Sequence, residues 1–235
     1  MSPKSTPAPP NTAQFRRRLL RWYRRHARDL PWRRTRDPYR VIVSEFMLQQ
    51  TQVSRVELFY PRFLDRYPTI QHLARAQASE VRETWEGLGY YQRAANLHRL
   101  ARVVVRELDG VIPDDPARLR TLPGVGRYTA GAVACFAYER REATVDTNVA
   151  RVIRRAYHPR LQGPGGANRI WATAQAVLPT RGPTAWAFNQ ALMELGATVC
   201  TARVARCEIC PVRAVCKTGR GKRESGKGRM ERGKA

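Results

Sequence analysis

Four cysteines crowd the end of the chain, Cys200, Cys207, Cys210 and Cys216, in the pattern C-x6-C-x2-C-x5-C. Four thiolates in so short a loop can saturate a [4Fe–4S] cluster or a structural zinc. Zinc modules usually present two closely spaced pairs, and only Cys207 and Cys210 form one, so the spacing favours the cluster. The fifth cysteine, Cys135, lies in the apolar run AGAVACFAY and reads as a small core residue. Two acids sit in contrasting settings. Glu45 is embedded in VIVSEFML, where apolar surroundings raise a carboxyl's pKa and suit it to general-acid work. Asp146 opens TNVARVIRRAY as an N-cap, where N–H groups and the helix dipole favour its ionised form. One acid held neutral and one held charged is the arrangement that cleaves glycosidic bonds. Singly, each acid has a plainer reading: Glu45 facing solvent, Asp146 as an ordinary cap.

The charge balance says what such a site would meet. The 235 residues carry 43 Lys+Arg against 19 Asp+Glu, a formal net charge of +24, which points to a polyanion and to nucleic acid ahead of an acidic membrane. Lysine is absent between Lys4 and Lys217, so no central amine is available for a Schiff base. Met1 to Asn11 has no apolar segment of a secretory signal, and no run reaches a membrane-spanning length. The cysteines do not form a secreted disulfide framework. These features predict a cytoplasmic, nucleoid-associated monomer that binds nucleic acid and no membrane.

The elements that must position these groups are helical. FRRRLLRWYRRHA places Phe15, Leu19, Trp22 and Tyr23 on one stripe of a helix from Thr12 to about Ala27. DLPWRRTRDPYR is a loop, and Asp37-Pro38 supply the cap and first residue of a helix through VIVSEFMLQQ. Further helical segments begin near Val53, Ile70, Ser79, Gln92 and Asp115, and later near Asn168 and Pro183. LPGVG at 122–126 is a turn in which Gly124 and Gly126 allow N–H groups to face outward at the next helix start, a phosphate-binding arrangement. No alternating strand pattern is present, and the fold reads as all-α.

The cysteine spacing, LPGVG-x-YTA and an aspartate some twenty residues later resemble the helix-hairpin-helix DNA glycosylases of the endonuclease III superfamily. More specifically, SEFMLQQTQV at 44–53, GLGYYQRAANLH at 87–98, LPGVGRYTAGAV at 122–133 and FNQALMELGATVC at 188–200 look like the MutY adenine DNA glycosylases. The resemblance covers about residues 12–217. It implies two helical lobes gripping DNA: a six-helix lobe with the helix-hairpin-helix over 36–142, and a lobe of 12–35 plus 143–217 with the C-terminal [4Fe–4S] cluster loop. Residues 1–11 would be a flexible arm and 218–235 a basic disordered tail.

The resemblance also implies roles. Glu45 protonates N7 of a flipped-out adenine, Asp146 stabilises the oxocarbenium-like sugar, and Tyr128 and Asn148 flank them. Gln49, Gln50 and Tyr90 lie at the DNA, the latter two filling the gap left by the extruded base. Arg33 and Gln190 lie near the adenine edge, and Gly124, Val125 and Gly126 hold the backbone. Ordinary core packing is the plainer reading of Tyr90 and Tyr91. Arg203, Arg206 and Arg213 on the cysteine loop approach phosphates, or form a solvated face. Endonuclease III-type lyases have lysine where this chain has Tyr128, which implies a monofunctional glycosylase leaving an abasic site.

Two departures bear on the substrate. MutY enzymes usually continue into a Nudix-like domain, for which the 19 residues after Cys216 are too few, and DTNV at 146–149 lacks the glycine many relatives have second. The expected substrate is duplex DNA with adenine opposite guanine or 8-oxoguanine. A thymine or uracil mismatch glycosylase and a noncatalytic iron–sulfur DNA-binding protein stand as alternatives; Gln49-Gln50 favours adenine.

Overall fold

The computed structural model describes residues 7–221. Among them lie the α-helices α1 (Thr12–His26), α2 (Pro38–Leu48), α3 (Val53–Arg66), α4 (Ile70–Arg75), α5 (Ala78–Thr84), α6 (Gln92–Glu107), α7 (Pro116–Leu119), α8 (Arg127–Phe136), α9 (Thr147–Tyr157), α10 (Gly166–Ala176) and α11 (Gly182–Thr198). Single 3₁₀ turns occupy Pro31–Arg33, inside the stretch expected to be loop, and Arg213–Val215. The all-α expectation holds: among the described residues the only extended pairing is an isolated bridge between Cys200 and Ala205. No described helix is long and apolar enough to cross a membrane.

The chain divides into two units, one spanning Asp29–Arg140 and one formed by the described residues on either side. In the first, α2 is the central strut. Asp37 accepts the N–H groups of Tyr39 (2.8 Å) and Arg40 (3.1 Å), and Pro38 starts the helix with no N–H to satisfy. The helix packs against α3, α6 and α8. The 29–35 segment belongs here because Trp32 meets the Tyr60 ring edge-on at 5.7 Å. Trp85, fully buried, meets Phe63 edge-on at 5.7 Å.

In the second unit the stripe read from the sequence is the seam. Phe15, Leu19 and Tyr23 are buried, and Phe15 meets Tyr157 at 5.3 Å and Phe188 at 6.3 Å. Buried helix α11 packs on α9 and α1, and its Glu194, fully enclosed, accepts two hydrogen bonds from Arg28 (2.7 and 3.2 Å). Gly196 sits at the α9–α11 crossing, where a Cβ would fall 2.6 Å from the Asn148 Cβ. Arg16 and Arg141 reach the backbone carbonyls that close α10: Arg16 donates to Val177 and Leu178 (both 2.7 Å), Arg141 to Pro179 (3.1 Å).

The arm and the tail are ordered where they touch this unit. Thr12 donates its hydroxyl to the Pro9 carbonyl (2.6 Å). Residues 217–221 are helical, with Thr218 donating to the Arg155 carbonyl (2.7 Å), so the tail takes structure before it leaves the cysteine loop. The rest of the expected arm and tail, 1–6 and 222–235, lies outside the described residues.

Candidate active site

Glu45 occupies the last turn of α2 and is 5% exposed, among Val41, Ile42, Val43, Phe46 and Met47, each 2% exposed or less. The solvent-facing reading therefore fails. The LPGVG turn joining α7 to α8 packs directly on this helix. Gly124 adopts φ +76°, and a Cβ there would lie 2.8 Å from the Asn96 Cβ and 3.0 Å from Phe46 Cε1, so only glycine fits.

Gly126 behaves differently from the expectation. Its backbone is extended (φ −86°), and a Cβ would meet nothing within 4 Å. The bend belongs to Gly124 alone, while Gly126 leaves open the approach to the start of α8. That helix end has no side-chain cap, and a helix start of this kind suits a phosphate. Val125 is buried and anchors the turn; Tyr128, on the first turn of α8, is half-buried.

Beyond α2, Gln49 is half-buried and Gln50 is exposed with a left-handed φ of 55°. Tyr90 is likewise left-handed (φ 51°) and 62% exposed, and the Tyr91 ring lies 4.7 Å from the Arg82 guanidinium. Both tyrosines open to solvent, which removes their core-packing reading. Arg33 is half-buried in the 3₁₀ turn that packs on α2. The fold thus gathers Glu45, Gln49, Gln50, Tyr90 and the Gly124 turn around α2.

In the other unit Asp146 caps α9. Its Oδ1 accepts the Val149 N–H (2.7 Å) and its Oδ2 accepts Asn148 Nδ2 (2.9 Å). Those donors and the Arg151 charge favour the carboxylate, but burial is the largest influence and moves its pKa upward. The sequence reading named the cap correctly and missed the desolvation that outweighs it. Arg151 continues the chain of contacts, donating to Asn148 Oδ1 (2.7 Å), the Gly196 carbonyl (2.7 Å) and the Cys200 carbonyl (2.8 Å). Gln190 is 6% exposed on α11.

Cys200, Cys207, Cys210 and Cys216 border one cavity with the apolar side chains Val152, Ala156, Leu195, Val199 and Val212. Burial pushes the Cys210 thiol up to about 12 and raises Cys216 as well. Arg155 Nη1 lies 3.3 Å from Cys200 Sγ, and the Gly219 N–H donates to Cys216 Sγ (3.4 Å). Among the described residues, no group of three or more His, Cys, Asp or Glu is arranged to hold a metal ion. Arg203 and Arg206 are exposed on the loop and Arg213 is half-buried.

Sequence reasoning passed over Arg93, Arg151 and Gly196. Arg93 left a trace: it stands four residues before Leu97 on the buried face of α6, where a charged residue needs buried partners. The other two left none, because the Gly196 and Cys200 carbonyls that Arg151 reaches, and the Asn148 side chain that Gly196 meets, lie some fifty residues away along the chain.

The fold is all-helical among the described residues, with a glycine turn packed on the helix that bears a buried acid. The chain belongs to the HhH-GPD superfamily of base excision DNA repair proteins, matching it over residues 43–165. It is 52% identical over 196 residues to the adenine DNA glycosylase of Mycobacterium tuberculosis (strain H37Rv), covering 83% of this chain and 64% of that one, so it spans just under two thirds of that relative's length. A solved thermostable thymine-DNA glycosylase superposes with a TM-score of 0.83 at 32% identity, covering 90% of this chain and 97% of that one. A trapped endonuclease III–DNA covalent intermediate shares the fold, with a TM-score of 0.75 at 22% identity, covering 90% and 98% of the two chains.

Proposed function

We propose that this chain is a monofunctional DNA glycosylase that removes adenine mispaired with guanine or 8-oxoguanine. The observation that carries the adenine reading is the 52% identity, sustained over 196 residues, with a protein of that name. Its substrate is double-stranded DNA, to which the uncapped start of α8 and the exposed arginines contribute sequence-independent phosphate contacts.

In the proposed reaction the target nucleotide leaves the stack, with Gln50 and Tyr90 entering the gap. Glu45 delivers a proton to adenine N7 as the C1′–N9 bond breaks and its electron pair passes to the base. The Asp146 carboxylate stabilises the cationic sugar, Asn148 holds that carboxylate, and Tyr128 borders the site. Water then adds at C1′, and its proton leaves to restore the acid. With no lysine between Lys4 and Lys217 the reaction stops at the abasic site. Arg33 and Gln190 are assigned to the adenine edge, and Gln49 to the DNA interface.

Cys200, Cys207, Cys210 and Cys216 would hold a [4Fe–4S] cluster. Four soft thiols bordering one apolar-walled cavity fit a thiolate-bound cluster, and the single close pair, Cys207 and Cys210, favours it over zinc. When bound, the cluster supplies structure, pinning the 200–216 loop to α9 and α11. Iron and sulfide in equal amounts, with broad visible absorbance, distinguish it from zinc.

The thymine-DNA glycosylase structure, matched over nearly its full length, keeps a second reading: excision of thymine or uracil opposite guanine. A single-turnover panel of A:8-oxoG, A:G, T:G and U:G duplexes, developed with alkali, decides between them. Cleavage at adenine supports the first reading and activity confined to T:G or U:G overturns it. A high yield of borohydride-trapped adduct overturns the monofunctional assignment.

A further inference from the structure

Arg93 is a charged residue in the core of the Asp29–Arg140 unit, 6% exposed on α6. Its Nη1 donates to the carbonyls of Phe46 (3.1 Å), Met47 (2.8 Å) and Gln49, and its Nη2 to those of Leu88 (3.1 Å) and Gly89 (3.0 Å). Five acceptors are thus drawn from two segments some forty residues apart. The first is the end of α2, whose last turn contains no basic residue of its own. A helix leaves its final carbonyls unpaired and its C-terminus partly negative, and Arg93 answers both from another helix.

The second fact is where the chain is strained. Gln50 directly follows Gln49 and Tyr90 directly follows Gly89, and both are non-glycine residues in the left-handed region. Each strained residue therefore sits one peptide beyond a carbonyl that Arg93 holds. Left-handed side-chain residues persist only where their surroundings over-determine them. The Tyr90 ring also lies over the guanidinium, 5.5 Å from Cζ, with the Trp85 ring at 5.6 Å. The outcome is two exposed side chains, Gln50 and Tyr90, carried on backbone tied to one buried cation, on the same helix end that bears Glu45.

We infer that Arg93 is a positioning residue: one guanidinium that presets the Gln50 turn and the Tyr90 loop as a two-pronged wedge before DNA arrives. It touches neither base nor sugar. The inference rests on the assignment of Gln50 and Tyr90 to the gap left by the extruded base. A planar fork with donors on two nitrogens spans both segments, whereas a lysine ammonium has three donors on one atom and cannot.

The test compares Arg93→Lys, and Arg93→Gln as a second variant, with the parent protein. The duplex carries 2-aminopurine beside the target adenine, so that fluorescence rises when its stacking neighbour leaves. Arg93→Lys should bind an unmodified duplex within about threefold of the parent. Its fluorescence rise and its single-turnover cleavage should both fall by roughly 10–100-fold, a loss of preorganisation. The fall should merge with that of Tyr90→Ala rather than multiply it in the double variant. Unchanged fluorescence and cleavage in Arg93→Lys overturn the inference. So does a cleavage loss that only tracks the folded fraction, or failure of both Arg93 variants to fold by circular dichroism. If Gln50→Ala and Tyr90→Ala leave the fluorescence rise intact, the wedge reading itself has failed; if they abolish it while Arg93→Lys does not, only the role of Arg93 has.

Discussion

Replacing Asn148 with alanine removes the side-chain hydrogen bond to the Asp146 carboxylate, the 2.9 Å contact from Nδ2 to Oδ2. The Val149 N–H remains on Oδ1, and Arg151 keeps its bonds to the Gly196 and Cys200 carbonyls. A hydrogen bond to a charged group contributes about 1.5–3 kcal/mol, and Asp146 is only half-buried, so the lower end applies. A loss of that size moves the Asp146 protonation equilibrium about tenfold toward the neutral acid. The parent carboxyl already stands above its ordinary value because of burial. Asp146 is proposed to act ionised, so the acid limb of the kcat/KM profile should move to higher pH in Asn148→Ala.

Stability has the matching sign. A carboxyl raised by folding destabilises the native state above its folded pKa, and that penalty disappears as pH falls through the folded pKa to the ordinary value. The added penalty in Asn148→Ala should therefore appear at neutral pH and fade in acid. The pH–rate profile of single-turnover cleavage and thermal melts at several pH values read both effects. An acid limb that stays in place or moves down refutes the reasoning, since it would mean that Asp146 does not set the limb or that the bond does not favour its ionised form.

Glu45→Gln and Asp146→Asn should each lose on the order of 10²–10⁴ in single-turnover rate while melting near the parent temperature; unaltered turnover would favour a noncatalytic DNA-binding protein. Gly196→Ala should cost about 1–3 kcal/mol in denaturant unfolding, because its Cβ would stand 2.6 Å from that of Asn148 at a closed helix crossing. Gly124→Ala should lower the melting temperature, since it faces both a left-handed backbone and a Cβ 2.8 Å from Asn96. Gly126→Ala should melt like the parent yet bind duplex more weakly in a salt titration, because the only thing its Cβ crowds is the open approach to α8.

Much of this protein could be read along the chain because the relevant physics is local. Apolar periodicity placed α1 with Phe15, Leu19 and Tyr23 inward, and cap chemistry placed the starts of α2 at Asp37 and α9 at Asp146. The cysteine spacing and the glycine turn were legible for the same reason, as short-range arrangements of donor atoms and backbone. Glu45's burial was also foreshadowed, since Val41, Ile42, Val43, Phe46, Met47 and Leu48 surround it along its helix.

What the chain could not show depends on contacts distant in sequence. The +24 charge counts every arginine alike. Only the tertiary structure separates Arg203 and Arg206, open to solvent, from Arg16, Arg93, Arg141 and Arg151, whose guanidinium groups close helix ends and loops from another element. Asp146 makes the same point for a single proton. Its cap hydrogen bonds are local and were predictable, but the burial that overrides them is supplied by the packing around it. Sequence by itself determined which groups could do chemistry; the fold decided their solvation and their partners, because desolvation and carbonyl pairing depend on whatever segments the chain brings alongside.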